Sequence, residues 1–271
     1  MSTEGRKANR ASSVASFVWE HFKFNLASAI EYRWSFLSQV VFMIINDFML
    51  LFFWWIIFKR VDDIGGWTFR NMITMQAVLA ASYGLNALLF GNALRIPAMI
   101  VEGQLDYYLL LPKEPLLHML VSRSDISGLG DLAFGLIAFC VFTGATAGKL
   151  ALFILVIVAA SVVFACYCVI VGSLAFFIGN AQTVSQQLTN AMITFGGYPE
   201  PVFKGIVRAV LYSIIPVGFM AYMPVSLLSN LSLSKLAIFL TFTAFSIWAA
   251  KTVFAAGLRR YESGNLVTAR L

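Results

Sequence analysis

The sequence predicts an all-α membrane protein with six transmembrane helices, preceded by a helix lying in the membrane interface. Three observations carry this expectation. Of 271 residues, 60% are hydrophobic and only 12% are charged, about half the charge expected of a soluble domain. The apolar residues gather into runs of about 20, the length an α-helix needs to cross roughly 30 Å of hydrocarbon. Basic residues flank the first and last runs, Arg6, Lys7 and Arg10 before and Arg259, Arg260 and Arg270 after, which sets both termini on the cytoplasmic side.

Residues 1–34 read as a cytoplasmic tail and an amphipathic helix. Val14, Val18, Phe22, Leu26 and Ile30 recur every four residues, while Glu20, Lys23 and Glu31 fall on other faces, a pattern suited to a helix with its apolar stripe in lipid. The first apolar run follows a basic stretch with no small-residue cleavage site, so no removable signal peptide is expected. A membrane domain then occupies 35–258. Five spans stand out by hydropathy, at about 36–58, 71–93, 125–143, 149–172 and 235–256. Two further segments compete for the remaining crossing. Residues 176–198 are long enough but carry Asn180, Gln182, Gln186, Gln187 and Asn190, whereas 205–228 is more apolar but holds Pro216 and Pro224. If both crossed, the basic tail 259–271 would be exported; charge favours 205–228, which keeps Lys204 and Arg208 cytoplasmic.

Catalytic and metal chemistry are not expected. Cys140, Cys166 and Cys168 all lie inside apolar runs, where a thiol acts as a small hydrophobe, and His21 and His118 are far apart in sequence. No metal-ligand spacing or nucleophile–base–orienter set is present. The stretch Gly144–Leu150, GATAGKL, has one residue too few between its glycines for a phosphate loop and lacks the magnesium-binding Ser or Thr. It reads as a turn between spans, so any ATP and magnesium would be bound by another chain. The surroundings expected of this chain are membrane lipid, not nucleic acid.

Three regions are the candidate functional surfaces. Asp47 sits mid-run in 36–58, where a charge is costly enough to require a polar cavity or a partner; a carboxylate there suits a cationic or amphipathic substrate. Gln182, Ser185, Gln186, Thr189 and Asn190 follow i, i+3, i+4, i+7, i+8 spacing on one helical face, which serves either as a wet pathway or as polar glue between helices. On the cytoplasmic side, 94–124 mixes Arg95, Glu102, Asp106, Lys113, Glu114 and Arg123 with Ile96, Met99, Ile100, Tyr107, Tyr108 and Leu109–Leu111. So apolar a loop should pack on a partner, on the membrane or beneath its own helices.

The order of these features resembles a known family. An interfacial N-terminal helix, six spans, an apolar loop after the second span and a Tyr-Pro after the fifth look like the ABC-2-type permeases, membrane subunits of ATP-binding-cassette exporters. Gly103 to Pro112 (GQLDYYLLLP), Tyr198-Pro199, Ile215-Pro216, Tyr222-Met223-Pro224 and Gly257 to Ser263 (GLRRYES) resemble an uncharacterised or viologen-exporter-like subfamily. The resemblance implies a pair of permeases in the bacterial cytoplasmic membrane with two ATPase subunits. It implies a coupling loop at 94–113 with Arg95, Glu102, Gly103, Asp106, Pro112 and Lys113, and a re-entrant outer segment at 203–228. Tyr198, Pro199, Pro216 and Pro224 would form its gate, and 176–198 would be the fifth crossing. A secondary transporter and a membrane-embedded structural or assembly subunit are the rival classes; the inverted repeats of the former are not evident.

Overall fold

The computed structural model describes residues 16–27, 31, 33–178 and 181–261. Among them it is helical throughout, with no strand beyond an isolated bridge between Ile64 and Trp67. Helix α1 covers 16–27. The long helices α2 (Arg33–Phe58), α3 (Phe69–Leu89), α8 (Ala147–Gly172) and α12 (Leu233–Leu258) are each long and apolar enough to cross a membrane. Between α3 and α8 run three short helices, α4 (Ile96–Val101), α5 (Leu105–Leu109) and α6 (Pro115–Val121), then α7 (Gly128–Thr143). After α8 come α9 (Ala181–Gly196), α10 (Gly205–Ser213) and α11 (Met223–Ser229).

Helix boundaries depart from the hydropathy limits for local reasons. The 125–143 run becomes helical only at Gly128, because Asp125 Oδ1 accepts hydrogen bonds from the Ser127 amide (3.1 Å) and hydroxyl (2.6 Å) and holds a turn there. The 71–93 run stops at Leu89, and the buried Asn92 amide donates to Met119 O (3.0 Å) and Ser122 Oγ (2.8 Å), pulling the chain away from the helix axis. In 144–150, Gly144 ends α7 with φ 62°, and Thr146 caps α8 by accepting from the Lys149 amide. This is a helix–turn–helix corner, stopped by a left-handed glycine and restarted by a hydroxyl cap.

Helices α3 and α8 form the interior, and α2 and α12 lie outside with most of their surface uncovered. The tightest packing joins α7 to its neighbours. A Cβ on Gly84 would lie 2.6 Å from Leu132 N, one on Gly128 2.6 Å from Gly84 O, and one on Gly130 2.6 Å from Val40 O. Backbone meets backbone at these points, as in small-residue contacts between membrane helices. The stack is completed by Phe139 and Phe153, whose rings face each other at 4.1 Å across α7 and α8.

Both ends of the described chain lie at one end of the bundle. Phe17 of α1 packs on His118 of α6 at 5.0 Å, and Tyr261, just past α12, hydrogen-bonds with Asp106 of α5. Helix α9 finishes at the other end, where Gly197 O accepts from Trp54 Nε1 of α2 (3.1 Å). The α10 and α11 pair, bent by 77°, also begins and ends there. Pro201 sits against Gly65, and Asn71 Nδ2 donates to Ser229 Oγ (3.4 Å).

Helix α1 uses part of its apolar stripe on the protein itself. Val18, Phe22 and Leu26 are half-buried, while Trp19 and Phe24 point outward. Val14 and Ile30 lie outside the described residues.

The backbone contacts make a stability prediction. In Gly135→Val, the new Cβ would meet Ala81 Cβ at 2.7 Å, an overpacking that costs about 1–3 kcal/mol. The melting temperature of purified protein in detergent should fall, whereas Gly148→Ala, with nothing within 4 Å, should leave it unchanged or slightly raised.

Candidate substrate cavity and docking surface

Asp47 opens onto a cavity of about 410 Å³ between α2, α3 and α7. The position follows from packing: Gly130 brings α7 against Val40 of α2, about two helical turns before Asp47. The carboxylates of Asp125 and Asp131 line the same space with Gln76, Tyr83 and Asn86 of α3. Asp47 Oδ2, Gln76 Nε2 and the Tyr83 hydroxyl are buried without a hydrogen-bond partner. Asp131 escaped the sequence reading, although the criterion that singled out Asp47, a carboxylate inside an apolar run, applies to it too. Gln76 and Tyr83 gave no such signal, since a single amide or phenol in a span is ordinary.

The polar face of α9 lines a second, smaller cavity of about 170 Å³. Gln182, Ser185, Gln186, Thr189 and Asn190 all reach it, with Ala93, Leu94 and Pro97 opposite. Two of the five also join helices: Ser185 Oγ donates to Val171 O (2.6 Å), and Thr189 hydrogen-bonds with Cys168. Gln182, Gln186 and Asn190 remain exposed. The structure therefore separates Asp47 from this face, with Leu94 and Ile193 lining both cavities.

At the end that carries α1 and Tyr261, the 94–124 stretch folds back under the bundle. Ile96, Met99, Ile100 and Leu105 are fully buried against the protein's own helices. Gly103 takes φ 73°, a left-handed turn between α4 and α5 that other residues rarely adopt. Arg95 Nη1 donates to Asn92 Oδ1 (3.4 Å), and the exposed Glu102 accepts from Gln104 Nε2 (2.6 Å). Pro112 is exposed in the turn, and Lys113 lies over the Phe17 ring at 5.5 Å. The uncovered groups include an apolar cluster beside the exposed charges of Glu102, Lys113 and Glu114: Tyr107 is 63% exposed and Leu110 87%, with Leu109 beside them. The sequence singled out both the charges and the apolar residues of this loop; the structure divides the apolar ones into a buried set and this exposed cluster.

Two titrating groups mark how tightly the end is tied. Burial lowers the His118 imidazole below the ordinary value of 6.5, with His21 and Lys113 adding to the effect. Its ring meets those of Phe17, His21 and Tyr108 edge-on at 5.0–5.4 Å. Burial, helped by the Asp106 carboxylate that accepts its hydrogen bond, pushes the Tyr261 phenol up to about 12.

At the opposite end, Tyr198 is exposed and meets Trp54 edge-on at 5.9 Å, while Pro199, Pro216 and Pro224 are buried. Glu200, unmarked in the sequence, organises the segment. It pairs with Arg208 (2.7 Å) and accepts from the Tyr212 hydroxyl (2.8 Å), and the Tyr222 hydroxyl donates to Phe195 O (3.0 Å).

Among the described residues, no group of three or more His, Cys, Asp or Glu could hold a metal ion, and the three cysteines are unpaired. A family model described as ABC-2 family transporter protein matches residues 44–264, most of the chain. No curated protein and no solved structure matches it.

The lowered His118 imidazole makes the contact between α1 and α6 sensitive to acid. The folded state favours neutral His118, so this contact is complete above the ordinary value of 6.5 and weakens as pH falls through it, levelling off below the lowered folded value. Spin labels on a Trp19→Cys, Arg123→Cys variant should give a narrow distance distribution at pH 8 and a broader one at pH 5. Adding His118→Gln should remove the pH dependence.

Proposed function

The chain belongs to the ABC-2 transporter family, and from that premise we propose that it is the permease subunit of an ATP-driven exporter, coupled to separate ATPase subunits. The observation that carries the coupling is the exposed cluster of Tyr107, Leu109 and Leu110 on and just after α5. This apolar surface stands at the end where α1, Tyr261 and the loop converge, on a base of buried Ile96, Met99 and Leu105. A rigid helix presenting aromatic and aliphatic groups is suited to fill a groove on a partner and to transmit its motion. ATP and magnesium belong to that partner, since the Gly144–Leu150 corner lies at the opposite end and is closed by its own cap.

The topology we propose places residues 16 and 261 in the cytoplasm of a bacterium, six crossings in its cytoplasmic membrane, and α10–α11 as a re-entrant outer pair. Support comes from the contacts of Pro201 with Gly65 and of Asn71 with Ser229, which begin and end the bent pair at one end of the bundle. Helix α9 is then the fifth crossing despite its 16 residues, about 24 Å. The uncovered faces of α2 and α12 meet lipid and a second permease, identical or related.

In this reading ATP-driven closure of the ATPases presses on α5. The Asp106–Tyr261 bond and the Lys113–Phe17 contact pass the displacement to α12 and α1, and the permease pair changes between inward-open and outward-open states. ATP supplies the differential binding that such a shift requires. The Glu200–Arg208 pair and the proline-rich segment with Tyr198 form the outer gate.

Two experiments test this reading. Leu110→Arg puts a charge into an apolar contact worth about 1.5–3 kcal/mol, so ATPase copurification should fall at least tenfold while the melting temperature stays the same. Glu102→Lys should keep the complex but lower transport per ATP hydrolysed; unchanged assembly in the first variant would remove the docking role. For topology, Lys204→Cys in whole cells should react with an impermeant maleimide, and labelling only after permeabilisation would move the fifth crossing to 205–228.

A further inference from the structure

We infer that the cavity between α2, α3 and α7 is a binding site for an organic cation with a bulky apolar body, held by Asp47 and Asp131. Its chemistry is one-signed. Three carboxylates, Asp47, Asp125 and Asp131, line the cavity, and among the described residues no Lys or Arg does. No ion pair within the described residues reaches any of them; the three pairs present use Glu20, Glu114 and Glu200. Asp125 is exposed and its Oδ1 holds the Ser127 turn, so Asp47 and Asp131 on facing helices are the groups placed to meet a charge inside.

The second, independent observation is Gln76. Its side chain is 94% buried by its 6% exposure, lines the cavity, and leaves Nε2 without a hydrogen-bond partner. An unmade hydrogen bond of a buried amide is costly in a membrane interior. Elsewhere in the bundle such groups are satisfied: Asn86, also on α3, donates to Ser161 O, and Asn92 to Met119 O. The buried Tyr83 hydroxyl is likewise unpaired on the same wall. Amide and phenol are therefore available to a second polar group of the ligand.

Size and lining exclude a bare ion as the ligand the cavity is shaped for. About 410 Å³ falls in the range of drug-sized pockets. Leu50, Leu79, Phe90 and Phe164 supply apolar and aromatic walls, and aromatic faces attract organic cations that are already partly desolvated. The α9 face differs in each respect. Its cavity is less than half as large and lined by neutral groups, two of them committed to helix contacts.

The inference rests on the permease reading for its purpose, since the bound cation would be cargo, but its test does not depend on that reading. The purified full chain in nanodiscs, without ATPase or ATP, is equilibrated with tetraphenylphosphonium and, separately, with tetraphenylborate, an anion of the same shape. Saturable binding of the phosphonium and none of the borate is expected. Asp47→Asn and Asp131→Asn should each weaken it at least tenfold, and Gln76→Leu should weaken it less. Equal binding of both probes, no saturable phosphonium binding, or full affinity in both Asn variants would overturn the site. The comparison of probes uses unaltered protein, so a variant that fails to fold does not blunt it. Loss of this binding with intact ATPase copurification leaves the permease reading standing, and the reverse result removes that reading alone.

Discussion

The fold depends on the close approach of α7 to α2 and α3. In a bilayer, helices gain little from hiding apolar surface, because lipid is as apolar as they are. What joins them is contact between backbones, and α7 supplies it with glycines at 128, 130 and 135 that admit the carbonyls of Gly84, Val40 and Ala77. The same register fixes the site. With Gly130 against α2 and Gly128 against α3, Asp131 has no lipid-facing option and is turned toward the cavity that Asp47 enters from the other side.

Much of this architecture was legible in the sequence, because crossing a membrane leaves a coarse signal. Long apolar helices α2, α3, α8 and α12 appear where hydropathy placed them, and the broken character of 205–228 follows from Pro216 and Pro224. The parts that were illegible are those set by tertiary contact. Periodicity put Gln182, Ser185, Gln186, Thr189 and Asn190 on one face, and the structure keeps them there. Periodicity cannot say that Val171 and Cys168 would engage two of them, or that Asp47 would open onto another cavity. In 94–124, composition flagged an apolar loop, but the division between the buried Met99 and Leu105 and the exposed Tyr107 and Leu110 depends on helix bends at Gly103 and Asn92 that no hydropathy window contains.

Satisfied and unsatisfied polar groups distinguish structure from function within the bundle. Thr143, Ser173, Thr243 and Ser246 each return a hydroxyl hydrogen bond to the carbonyl four residues earlier in their own helix, which makes a polar side chain tolerable at membrane depth without a neighbour. Asp47, Gln76 and Tyr83 do not have that outlet. A carboxylate, an amide and a phenol left incomplete around one cavity form a set of partial hydrogen bonds that a ligand completes. Ser82 Oγ is also without a partner, but it does not line that cavity.

Coupling between the two ends of the molecule needs stiff elements fastened to the docking surface, and the fastenings are present at α5 and the turn that follows it. A push on α5 meets the hydrogen bond from Tyr261 to Asp106, hence α12, and the contact of Lys113 with Phe17, hence α1. Helix α12 is one continuous piece of 26 residues, about 39 Å, and at its far end Lys235 donates to Ser226 Oγ of α11 (2.6 Å). Phe242 stacks on Phe219 of the bent segment at 3.6 Å. In the proposed mechanism a tilt of α12 driven from α5 reaches the bent α10–α11 segment, whose Tyr212 is bonded to Glu200. Ile193 and Gly197, just before Tyr198, line the cavity between α2, α3 and α7, so a movement of that far segment would bear directly on the cavity wall opposite Asp47.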